Sequence, residues 1–86
     1  MKIEFTDKYE YYFDTQVVGF EAFVDGTRII FKISDEALQD HFPDLGDSVK
    51  IFLANRVKIE GIARAKVEAI GLLDMKTILI GTKDIL

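Results

Sequence analysis

Apolar and polar positions alternate along Val17 to Val24 and again along Thr27 to Ile33, with Asp25-Gly26 between the two runs. A period of two is the mark of a strand with one buried face. Asp-Gly is favoured where both central residues of a two-residue turn need positive φ, so the segment predicts a β-hairpin. The turn sets the register: Val24 opposite Thr27, Ala22 opposite Ile29, Phe20 opposite Phe31 and Val18 opposite Ile33. That face is almost wholly apolar. The other face pairs Phe23 with Arg28, Glu21 with Ile30 and Gly19 with Lys32, and is mixed. A slip of one residue would send the mixed set into the core, so pattern and turn agree on one pairing.

The second strand runs directly into a helix. Ser34 suits an N-cap, Asp35 and Glu36 place negative charge at the positive end of the helix dipole, and Pro43 ends the helix after about two turns. Ile33 and Leu38 have the spacing of a hydrophobic staple. Before the hairpin, Lys2 to Phe5 predicts a short strand with Ile3 and Phe5 on one face. Thr6 to Gln16 is polar and aromatic and reads as a connection across the sheet edge. Its rings Tyr9, Tyr11, Tyr12 and Phe13 are expected to cover the edge of the core.

After the turn-rich PDLGDS, Asp47 or Ser48 caps a long helix expected to reach Ile70, where Gly71 stops it. Gly61 weakens its interior by up to ~1 kcal/mol relative to alanine, so a bend or a close approach is expected there. At about 100° per residue the helix shows two apolar stripes. Val49, Phe52, Ile59, Ala63, Val67 and Ile70 form the first, assigned to the hairpin. Ile51, Ala54, Ile62, Ala65 and Ala69 form the second, assigned to the first helix through Leu38 and Phe42, with a second copy of the chain as the alternative. Arg56, Glu60, Arg64 and Glu68 alternate in sign every four residues. Arg56 falls inside the first stripe, which favours a structural ion pair over an anion site. Thr77 to Gly81 predicts a buried strand with Ile78 and Ile80 on one face, and Ile85 and Leu86 are expected to dock. The result is a single domain over residues 1–86, a two-layer α+β fold. Its order is β-β-β-α-α-β, with a mostly antiparallel sheet and the helices on one face.

Composition narrows the compartment and the chemistry. With 86 residues, 49% of them hydrophobic and none of them cysteine, the chain suits a small core in a reducing compartment. No signal-peptide pattern and no membrane-length apolar run is visible, so a cytoplasmic location is the default. The net charge of −4 is uneven: residues 1–47 carry four basic and eleven acidic side chains, residues 48–86 seven and four. Catalytic groups are scarce. Ser34 and Ser48 are explained as caps, and the lone His41 has no nucleophile or carboxylate at a useful spacing. No zinc ligand set, EF-hand loop or glycine-rich phosphate loop is present, so neither metal nor cofactor is expected. The bases of the long helix scatter around its axis and the pI is near 4.8, which argues against nucleic acid.

The stretch VVGFEAFVDGTRIIFKISDEALQDHF, with FLANRVKIEGIA and ILIGTKD after it, resembles a family of small bacterial proteins known as domain of unknown function 1488. The resemblance runs from about Phe5 to Asp84. Its most specific parts are the VDG turn, the IS-x-EAL helix start with the later HF, and Asn55-Arg56 followed by Ile59 and Ala63. It implies a small α+β fold and brings no established activity, ligand or catalytic residue. The expected function is therefore non-enzymatic association, as a homodimer or with a regulatory protein partner, through Phe23, Ile30, Ile62 and Arg56. The alternative is a weak binder of a small anion, or an unrecognised enzyme, centred on Arg56 with Asn55 and His41.

Overall fold

A computed structural model describes residues 1–42, 46–71 and 76–85. Strands β1 (Ile3–Tyr12), β2 (Val17–Val24), β3 (Thr27–Ser34) and β4 (Thr77–Ile80) form one sheet in that spatial order. Helices α1 (Asp35–His41), α2 (Ser48–Ala54) and α3 (Arg56–Ile70) lie between β3 and β4 in sequence, and a 3₁₀ turn at Thr82–Asp84 follows β4. The first three strands pair antiparallel and β4 joins β3 in parallel. The α+β class and the sequence order of strands are as expected. Pro43, Leu72 and Leu86, assigned roles above, lie outside the described residues.

The hairpin has the register its pattern predicts, from Val17 opposite Ser34 to Val24 opposite Thr27. Asp25 and Gly26 both hold positive φ, 50° and 85°, as a mirror-image two-residue turn requires. The side chains of Val18, Phe20, Ala22, Val24, Ile29, Phe31 and Ile33 are all buried. Phe20 stacks on Phe31 at 5.3 Å between ring centroids and meets Phe52 of α2 at 5.2 Å. Each such buried side chain contributes about 1.5–3 kcal/mol. Ile59, Ala63 and Val67 of α3 close the same core, with Ile78 and Ile80 of β4 beside them.

The caps also form as expected. The Ser34 hydroxyl accepts from the Ala37 N–H at 3.1 Å, and the Asp47 carboxylate accepts from the Lys50 N–H at 2.9 Å. Gly71 ends α3 at φ 73°, its N–H donating to the Val67 carbonyl.

Two boundaries differ from expectation. Thr6 to Tyr12 is not a connection; it continues β1 past a bulge, where Thr6, Asp7 and Lys8 together face only Glu21. The two extra residues keep the alternation in phase, so Tyr9 and Tyr11 stay on the face of Ile3 and Phe5; the polar run Thr6–Lys8 hid the strand. The long helix is broken at Asn55, not bent at Gly61. Asn55 takes φ −119° and ψ 20°, and its side-chain amide donates to the Ile51 carbonyl at 2.9 Å. An Asn side chain that bonds the preceding turn competes with the helical ladder. A Cβ at Gly61 would meet nothing within 4 Å, so no close approach occurs there.

The second stripe is divided in consequence. Ile51 is buried, α1 lies against α2, and Ile62 is half-buried against the core. Ala54, Ala65 and Ala69 are exposed, as is Ile70 at the end of the first stripe. At the β4 edge of the sheet, the Lys66 ammonium donates to the Leu79 carbonyl and pairs with Asp84 at 2.9 Å. Asp84 in turn accepts from the Gly81 N–H at 2.8 Å.

Candidate functional site

Because side chains alternate along a strand, the residues paired opposite one another in β1 to β4 form rows across the sheet. The inward rows carry the core. The outward rows read Glu4, Phe23, Arg28; then Glu21, Ile30, Thr77; then Glu10, Gly19, Lys32, Leu79; then Tyr12, Val17, Ser34. Acidic groups predominate on β1 and β2, with Lys8 of β1 the exception, and basic groups stand on β3. Phe23 and Ile30 are half-buried among these side chains, and Leu79 is 63% exposed.

At the bulge this outward face is built around a buried carboxylate. Glu21 is 4% exposed. It accepts from the Arg28 guanidinium and, at 3.0 Å, from the Thr6 hydroxyl. The Arg28 hydrogen bond, with Thr6 and the nearby Lys8 charge assisting, holds Glu21 below the ordinary glutamate pKa against the opposing effect of burial. Thr6 also accepts from the Lys8 N–H at 3.2 Å, which shapes the bulge. A shallow depression of about 370 Å³ opens here, with Tyr12, Gly19, Glu21, Arg28 and Ile30 among its walls. Gly19 leaves room for the Tyr12 ring: a Cβ there would fall 2.6 Å from it and displace the ring. The Lys32 ammonium lies over that ring, 4.6 Å from its centroid.

The six residues singled out in the sequence occupy four separate places. Phe23 and Ile30 share the outward face. Arg56 and Asn55 sit at the α2–α3 break. Ile62 packs on the core from α3, and His41 ends α1, with its Nε2 buried and without a hydrogen-bond partner among the described residues. The cleft at the break, about 410 Å³, includes Asn55 and Arg56 and not His41.

Arg56 is engaged within the fold. It pairs with Glu60 at 3.1 Å, donates through Nη2 to the Thr6 carbonyl, and lies 5.5 Å from the Phe52 ring centroid and 5.9 Å from that of Tyr9. This is the ion pair expected from its position in the apolar stripe. The aromatic segment behaves less uniformly than expected. Tyr9 and Tyr11 meet the core edge, Tyr12 stands on the outward face, and Phe13 is 84% exposed. The sequence reading placed Glu21 and Lys32 on the mixed face and overlooked Leu79. Leu79 alternates with the buried Ile78 and Ile80, and that alternation was the available signal.

With this geometry in place, the chain can be set beside known proteins. The family model described as protein of unknown function (DUF1488) matches residues 3–80, and the protein belongs to that family. A solved structure similar to this fold is that of a protein of unknown function from the DUF1488 family of Shewanella loihica PV-4. It has a TM-score of 0.76 and 21% identity, with 93% of this chain and 94% of that one covered. No curated protein matches. Among the described residues, no helix is long and apolar enough to cross a membrane.

Proposed function

We propose that this protein acts without catalysis, by association through the outward face of its sheet, and that its first partner is a second copy of itself. One observation carries this reading: the outward face is polarised across the strands. Glu4 and Glu10 lie on β1, offset in part by Lys8, and Lys32 lies on β3 beside Arg28, which already meets the buried Glu21 of β2; Phe23, Ile30 and Leu79 stand among them. A two-fold axis parallel to the strands would reverse strand order between two facing sheets and set the acidic half of each over the basic half of the other. Isologous contacts of this kind close at two copies. Half-exposed apolar side chains supply the buried area, and the charges fix the orientation. The absence of cysteine supports the cytoplasm as the compartment.

The anion-binding alternative finds no support at Arg56, whose charge is already met by Glu60 and whose fork is held by the Thr6 carbonyl.

The test is the mass of the full chain in solution across a concentration series, by light scattering and native mass spectrometry. The wild type is expected to be dimeric. Leu79→Asp and Lys32→Glu should each give folded monomers with unchanged circular dichroism, and Glu10→Lys should partly restore the Lys32→Glu dimer. A wild type that stays monomeric throughout sinks the proposal, as does a dimer indifferent to both substitutions.

A further inference from the structure

On the helical side of the sheet, away from the outward face, lies a second cleft of about 710 Å³. It opens where the end of β1 meets the starts of α1 and α2. Tyr11, Phe13, Asp35, Gln39, Val49 and Lys50 are among its walls. Its size falls within the range of small-ligand sites, and its lining combines aromatic surface with a few polar groups, as such sites do.

Two features define what it would hold. The first is a carboxylate that the fold satisfies only by half. Asp35 Oδ2 accepts from the Tyr11 hydroxyl at 2.7 Å, a bond that also raises the phenol above its ordinary pKa and keeps it a donor. Asp35 Oδ1 is buried, and no donor among the described residues reaches it. A buried acceptor left unpaired costs about 1–3 kcal/mol. The second is an exposed ring set beside Tyr11, outside the core. Phe13 meets Tyr11 edge-to-face at 5.0 Å and is 84% exposed.

The surrounding charge points the same way. Asp35, Glu36, Asp40 and Asp47 lie between Ser34 and Val49, and among the described residues of that stretch there is no Lys or Arg. Lys50 at the rim is the opposing charge. A carboxylate beside an aromatic face is the environment that a delocalised cation prefers, since it can donate to the one and lie against the other.

We propose that this cleft binds a guanidinium or ammonium group carried on an apolar stem. The cation donates to Asp35 and the stem lies against Phe13 and Tyr11. The cation comes either from a free amine or from an arginine side chain of a partner protein. The site does not depend on the dimer: it is on the other side of the sheet.

The experiment is an NMR titration of the full chain with agmatine, with N-acetyl-arginine amide, and with butylurea as the uncharged counterpart. Saturable shifts at Tyr11, Phe13 and Gln39 are expected with the two cations and not with butylurea. Tighter binding of agmatine would identify a free amine as the natural occupant, and tighter binding of the arginine amide would identify a partner's side chain. Asp35→Asn and Phe13→Ala should each weaken binding by about tenfold or more. Phe13→Ala alters an exposed side chain, so it keeps the test valid if Asp35→Asn unfolds. Leu79→Asp should bind as the wild type does, whatever its oligomeric state. Absence of saturable shifts, equal binding of butylurea, or wild-type affinity in Phe13→Ala would overturn the assignment.

Discussion

The Arg56 guanidinium donates to the backbone carbonyl of Thr6, fifty residues earlier in the chain. Thr6 opens the β1 bulge, and Arg56 opens α3, so the bond joins the two irregular points of the fold. Its companion bond to Glu60 keeps the side chain in place from the helix itself. Arg56→Met should therefore cost about 1–3 kcal/mol, because it leaves both the Thr6 carbonyl and a carboxylate without their charged donor. Arg56→Lys should recover part of that, since an ammonium lacks the planar fork that serves two acceptors at once. Urea denaturation gives the stabilities, and amide exchange at residues 6–9 gives the location. A neutral Arg56→Met would show that the bulge holds itself.

Glu21 links stability to acid. Its pKa is lowered in the folded protein, chiefly by Arg28, so the unfolded chain takes up the proton first as pH falls. The stabilisation is present above the ordinary glutamate range, near pH 4.3, and is lost as pH drops through the folded value. Glu21→Gln should lower stability at neutral pH and flatten its decline below about pH 4.5. Thermal melts of both proteins between neutral pH and acid would show this. Parallel curves would mean that Glu21 is not the titrating group.

Gly61 lies inside α3, exposed, with open space where a Cβ would stand. Nothing in its surroundings requires glycine. Gly61→Ala should stabilise the protein by about 0.5–1 kcal/mol through the smaller conformational freedom of the unfolded chain. A rise in the urea midpoint with an unchanged slope is the expected reading. Loss of stability would point to a contact on that face of α3.

The two side-chain caps can be compared directly. Ser34→Ala removes the acceptor for Ala37, and Asp47→Ala removes that for Lys50, each at a cost of about 1 kcal/mol. Ser34 sits where β3 turns into α1, so its loss should also loosen the Tyr11–Asp35 bond. Asp47→Ala should leave that bond intact. The Tyr11 ring resonances separate the two cases: movement in both variants, or in neither, would contradict this division.

What the sequence made legible was local. The hairpin register follows from Asp25-Gly26 and seven apolar side chains, and the caps follow from residue type and position. The role of Arg56 was also readable, because a charged residue at an apolar angle must find its partners within the fold. The β1 bulge was not, since Thr6, Asp7 and Lys8 look like any polar loop until Glu21 is known to face them. The break at Asn55 was similarly hidden: an Asn within an apolar-periodic run costs only about 0.7 kcal/mol or less in propensity, too little to end a helix by itself. The signal lay in its capacity to bond the previous turn. The Tyr11–Asp35 pairing brings together residues twenty-four apart, and the parallel pairing of β3 with β4 joins more distant segments still. No short-range pattern encodes either.

Both outermost strands give a carbonyl to α3: Thr6 of β1 to Arg56, and Leu79 of β4 to Lys66. Open strand edges invite further strands from other chains, and a long charged side chain laid across an edge is a common defence. Here one helix blunts both rims. The sheet cannot readily lengthen sideways into a ribbon of many copies, so any assembly it enters is steered toward stacking, which ends when two surfaces have met.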